Sequence, residues 1–279
     1  MRIIDAHCHI YPEKIAAKAV ENVGSFYHVE MSGKGTVSDL LALQQSAGIS
    51  ASIVHSVALK PANVQSINDF VAEQAGLHPS LIGFATMHQD FEDMEAEVER
   101  CIALGLRGFK LHPDSQGVNA DDPRLMRLYG IIEGRLPIIL HCGDYRWDNS
   151  HPHRIREILH AFPKLVMNAA HFGGWGLYDL AVEYLENESC FMDLSSASVY
   201  LGPRRTTELI RIHGPERILF GSDYPMWSPV KEVERFMLND LSDSEREMVC
   251  WQNAERFLGK DCSAARAASS AFFQEEANH

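Results

Sequence analysis

No stretch of the 279-residue chain approaches about 18 consecutive apolar residues, so no membrane-spanning helix is expected. Basic residues are in short supply, 25 Lys and Arg against 38 Asp and Glu, leaving a net charge of −13. A surface that acidic repels phosphate backbones and anionic lipid, which excludes nucleic acid and membranes as expected partners and leaves a small-molecule substrate. The start, Met1-Arg2-Ile3-Ile4-Asp5, lacks a signal peptide's long apolar stretch, and a cytoplasmic protein is expected. Cys-x-x-Cys pairs are missing too. Cys8, Cys101, Cys142, Cys190, Cys250 and Cys262 are scattered and read as free, mostly buried thiols. No sequence repeat of 20 to 50 residues is visible. No glycine-rich loop follows the first strand-like run, where Asp5-Ala6-His7-Cys8-His9 stands instead, which argues against a doubly wound dinucleotide-binding sheet.

What is abundant is rhythm and histidine. Short apolar, β-branched runs recur at Arg2–Ala6, Ala51–Val57, Leu81–Ala85, Arg107–Leu111, Pro137–Leu140, Lys164–Ala169, Cys190–Leu194 and Arg217–Phe220. After the first gap they are spaced by roughly 25 to 30 residues, one βα unit apiece. Helical periodicity falls between them. Asp90 to Leu104 places Met94, Val98, Cys101 and Ile102 on one face, and Pro152 to Phe162 groups Ile155, Ile158 and Leu159. The run count predicts an α/β fold, a single (β/α)8 barrel over residues 1–259, with 260–279 as a peripheral or disordered tail. The stretch between Ala6 and Ala51 is longer than the rest; a loop or small excursion over the barrel mouth is expected there, then a helix from Val37 to Ala47.

Several of the fourteen histidines stand where barrel strands end. Side chains two apart on a strand share a face, so His7 and His9 project together and Cys8 points the other way. Lys110 and His112 share a face on the fourth strand, His141 ends the fifth, His171 the sixth, and Asp223 follows the eighth in Gly221-Ser222-Asp223-Tyr224-Pro225. C-terminal strand ends carry the chemistry of such barrels. A ring of neutral imidazoles with one carboxylate is what a catalytic divalent metal requires, zinc first and manganese as the alternative.

Asp-x-His-x-His on the first strand, Lys-x-His-Pro on the fourth, His on the fifth and sixth and Gly-Ser-Asp-x-Pro on the eighth resemble the amidohydrolase superfamily. Within it the chain is most similar to the amidohydrolase-related branch that includes aminocarboxymuconate-semialdehyde decarboxylase. The likeness runs from Arg2 to about Gly259 and closes on Asn253-Ala254-Glu255-Arg256-Phe257-Leu258. The resemblance implies one metal held by His7, His9, His141 and Asp223, with His171 beside it to polarise substrate or orient water. A bridging carboxylated lysine, found in binuclear members, is not carried over to Lys110.

Candidate substrate contacts are Lys110 and His112 at the end of the fourth strand and, from the loops, Arg146, Trp147, Trp175 and Trp227. Arg146 between aromatic rings suits a flat acid, and pairs equally well with Asp144 or Asp148. Gly173 and Gly174 read as a tight turn. The expected activity is hydrolysis of a small, carboxylate-bearing compound by a metal-activated water, with Asp223 as proton acceptor. Non-oxidative decarboxylation at the same site is the alternative, and a catalytically silent binding barrel is the rival from another class. A homodimer is compatible with the sequence.

Overall fold

The computed structural model describes residues 1–259; the expected tail, 260–279, lies outside the described residues. Eight parallel strand positions follow the chain: β1 (Ile4–His9), β2 (Ala51–His55), β3 (Leu81–Gly83, resuming as Ala85–Thr86), β4 (Phe109–Leu111), β5 (Ile138–Leu140), β6 (Met167–Ala169), β7 (Phe191–Asp193) and β8 (Ile218–Leu219). Each pairs in parallel with its neighbours in sequence, β3 through its first half with β2 and through its second with β4. The seam between β8 and β1 is closed by Ala6 N–H donating to Phe220 O at 2.9 Å and Asp223 N–H to His7 O at 2.8 Å. Asp5 staples the same seam, its Oδ1 accepting from Ser222 N–H at 2.9 Å and His7 N–H at 3.1 Å. The fold is a (β/α)8 barrel.

Strands covered on both faces are apolar throughout, and here two apolar layers result. Ile4, Ala6, Ile53, Phe84, Ile139 and Leu219 fill the barrel interior with Phe257 of the closing helix, residues Asn253–Leu258. Cys8, Val54, Phe109, Leu140, Met167 and Met192 pack outward against the helices. Cys8, Cys101, Cys142, Cys190 and Cys250 are free and buried. Among the described residues no helix is long and apolar enough to cross a membrane.

Helices begin and end where local chemistry dictates. The helix Val37–Ala47 is capped by Thr36, whose side chain accepts from Asp39 N–H, and ends at Gly48 in the left-handed region at φ 66°. Met94–Ala103 starts later than its periodicity predicts because Asp93 caps it, accepting from Ala96 N–H. Its buried face is Met94, Val98 and Cys101, whereas Ile102, expected there, is 38 % exposed. Glu97 takes the inner position instead, held by Asn68 Nδ2 at 2.7 Å and Arg100 at 2.8 Å. Pro152–Ala161 buries Ile155, Ile158 and Leu159 as expected.

The long first connection is more structured than a loop. It holds a helix, Glu13–Tyr27, which we call α1. Its Ile15, Ala19, Val23, Phe26 and Tyr27 line a cavity of about 1490 Å³ that reaches down to the strand ends.

Candidate active site

β1 carries one extra residue against β2: Asp5 pairs with Ser52 but Cys8 with Val54. Such a bulge reverses the phase of alternation. Ile4 and Ala6 face the interior before it, and His7 and His9 face the cavity after it, while Cys8 turns outward. His7 is fully buried and fixed from behind: Nδ1–H donates to Asp193 Oδ2 at 3.0 Å. Asp193 is itself held by Asn168 Nδ2 at 2.8 Å and by the Ser195 and His171 N–H groups at 3.1 Å. That pairing leaves the His7 Nε2 lone pair facing inward, where Lys110 Nζ donates to it at 3.0 Å. Asp223 Oδ1 lies 3.5 Å from His7 Nε2 and 3.6 Å from His9 Nε2.

On the opposite side His141 Nδ1 lies 3.0 Å from His171 Nε2, and the His171 ring stacks on His7 at 5.0 Å. One donor atom each from His7, His171 and Asp223 falls within 4.8 Å of the others, and the same holds for His7, His9 and His55. His141 groups by that measure with His112 and Asp114. The expected quartet is thus spread over one floor, with His171 between His141 and the other three. Burial, then the Lys110 ammonium, holds His7 and His9 well below the ordinary imidazole range, so both are neutral donors. Burial likewise lowers His141 and His112, and pulls Lys110 down to about 8 against Asp223 and Asp193. Buried neutral imidazoles converging with a carboxylate fit a divalent cation.

The backbone at this floor is strained. His171, Ser196 and Asp223 sit at φ 60°, 52° and 59°, left-handed values that side chains with a Cβ seldom adopt. Ser196 Oγ donates to Asp223 Oδ2 at 2.5 Å, and Trp227 Nε1–H donates to Ser196 Oγ at 2.9 Å. Trp227 therefore acts on Asp223 through Ser196 and does not line the cavity.

The walls are aromatic. Trp175 lines the cavity against Tyr27, rings 5.2 Å apart, and His112 stacks on His141 at 3.7 Å. His112 Nδ1 accepts from Ser115 N–H, so Nε2–H points to the Tyr27 hydroxyl at 2.5 Å and leaves its O–H free. Arg146 is forked onto Asp144, with Nε and a terminal nitrogen at 2.9 and 2.7 Å, and its other end donates to Phe26 O at 2.6 Å. Its plane lies over Trp147 at 4.2 Å and Phe26 at 4.9 Å. It thus clamps the end of α1 to the loop after β5. Gly143, at φ 76°, lets that loop approach the loop after β6, where a Cβ would meet Trp175 N at 2.4 Å. Gly173, at φ 71°, makes the expected turn.

Four residues were not singled out from sequence: Asp193, His55, Tyr27 and Ser196. Asp193 and His55 each lie inside a run recognised as a strand, Cys190–Leu194 and Ala51–Val57, and a polar residue within an apolar run was the available signal.

A family model described as Amidohydrolase matches residues 4–260. Among curated proteins no relative matches. A TIM-barrel protein from Bordetella bronchiseptica is 19 % identical over 95 % of this chain and 99 % of that one, with a TM-score of 0.75. A dihydroxybenzoic acid decarboxylase from Polaromonas sp. JS666, solved with manganese and 2-nitroresorcinol, is 18 % identical over 92 % and 96 %, at 0.73. A 5-carboxyvanillate decarboxylase from Novosphingobium aromaticivorans, solved with manganese and 4-hydroxy-3-methoxy-5-nitrobenzoic acid, is 16 % identical over 92 % and 95 %, at 0.72. At these identities the likeness is one of fold.

Proposed function

We propose that this chain, which belongs to the amidohydrolase family, is a metal-dependent decarboxylase of a small aromatic or unsaturated carboxylic acid, with residues 1–259 as its catalytic unit. The observation that carries the reading is the cluster of neutral imidazoles and Asp223 at the floor of an aromatic-walled cavity. Support comes from the manganese-bound neighbours of the same fold, which act on hydroxylated aromatic acids. His7, His9, His141 and Asp223 would hold one divalent ion, zinc or manganese. Such an ion would supply Lewis acidity that offsets negative charge on a bound substrate.

The remaining work falls to the protein's own groups. Tyr27, His112 and Trp175 flank a flat acid and exclude water from its face. Asp223, held by Ser196, takes up a proton from solvent and delivers it to the carbon bearing the carboxylate, returning to the ionised form as a C–H bond forms with an electron pair of the unsaturated system. The carbon–carboxylate bond then breaks, its electrons restore that system, and CO2 leaves. His171, anchored at Nδ1 by Ser195 at 2.9 Å and bonded at Nε2 to His141 at 3.0 Å, positions His141 at the floor. The hydrolytic reading uses the same residues, with Asp223 accepting a proton from water instead.

Manganese-loaded protein offered 2,6-dihydroxybenzoate and 5-carboxyvanillate in deuterated water distinguishes the two. Decarboxylation gives CO2 and one deuterium at the vacated carbon. Cleavage of esters or amides with no CO2 from any hydroxybenzoate would overturn the proposal.

A further inference from the structure

His55 ends β2 fully buried, and among the described residues neither of its ring nitrogens has a hydrogen-bond partner. Buried imidazoles are ordinarily bonded at one nitrogen or both, because an unmet donor and acceptor are costly away from water. Packing alone does not ask for histidine here. Ala51 and Ile53, four and two residues earlier on the same face, fill the interior with apolar side chains. The β1–β2 register instead sets His55 directly beside His9. The two rings meet edge-on at 90° with centroids 4.4 Å apart, and His7 is 5.1 Å away. One nitrogen each of His7, His9 and His55 lies within 4.8 Å of the others. By contrast, His171 is engaged at both nitrogens, by Ser195 and by His141.

We infer that His55 is a further ligand of the divalent ion at the barrel mouth, joining His7, His9, His141 and Asp223. The inference rests on the metal-dependent reading above and adds a donor that the family resemblance does not assign. One of the two unpaired nitrogens of His55 is then the part of the site completed by the ion.

Titration of the metal-free full-length protein with Co2+, followed by calorimetry and visible absorption, tests this for wild type, His55→Leu and His55→Gln. Leucine keeps the volume and removes both nitrogens. The expected result is one equivalent bound by wild type, and a Kd weakened about 10- to 100-fold in both variants with an altered cobalt spectrum. Without metal, His55→Leu should melt no lower than wild type, since it removes polar atoms that nothing satisfies. Wild-type affinity and spectrum in the variants would overturn the inference while leaving the metal reading intact. Failure of His55→Leu to fold without metal would also overturn it, because the imidazole would then serve packing. No binding by wild type would overturn both.

Discussion

Asp193 shows how much of a reactive group lies behind it. By accepting from His7 Nδ1–H it fixes the tautomer that leaves Nε2 open, the arrangement by which carboxylates orient metal-binding imidazoles. Asp193→Asn should therefore weaken Mn2+ binding about 10- to 100-fold with the melting temperature of the metal-free protein little changed; unchanged affinity would remove it from the site. Asp223→Asn keeps shape and abolishes proton delivery, so kcat should fall about 10²- to 10⁴-fold while the barrel stays folded. Wild-type turnover in that variant would exclude Asp223 from the chemistry. His7, His9, His141, His171 and Asp223 were legible because strand alternation and strand ends are properties of sequence. His55 and Asp193 were not, since one polar residue within an apolar run looks the same whether it meets solvent or a partner on a distant strand.

At the scale of elements, α1 is the departure. Its cavity-facing residues recur at helical spacing, but the glycines that follow read as a loop, and nothing local says that the helix would lie across the mouth. Arg146 fastens it there through Phe26 O. Arg146→Ala should raise amide exchange across residues 13–27 and increase KM more than it lowers kcat; unchanged exchange would show that the clamp is idle. The helix Pro229–Met237 carries a buried carboxylate, Glu232, pushed up from 4.5 to about 7 by burial despite Arg235. Because the folded value lies above the unfolded one, its contribution to stability is full below about pH 4.5 and is lost as pH rises through 7. Glu232→Gln should thus gain on wild type by ~3 kcal/mol between pH 4.5 and 8, read from paired denaturation curves. Parallel curves would contradict the burial cause.

For the whole molecule, counting apolar runs sufficed for the barrel because each βα unit repeats one patterning rule, and short strands at 109–111, 138–140 and 167–169 fell inside the runs. The bulge in β1 was invisible, since it is a matter of register between two strands, yet it is what turns His7 and His9 inward. The account as a whole stands on one divalent ion at that floor, beside an unmodified Lys110. Anomalous diffraction from crystals of the protein equilibrated with Mn2+ and bicarbonate measures this directly. One peak per chain, in contact with His7, His9, His141 and Asp223 and with no added density on Lys110, is the predicted result. No peak there, or two peaks about 3.5–4 Å apart bridged by a carboxylated Lys110, would contradict it.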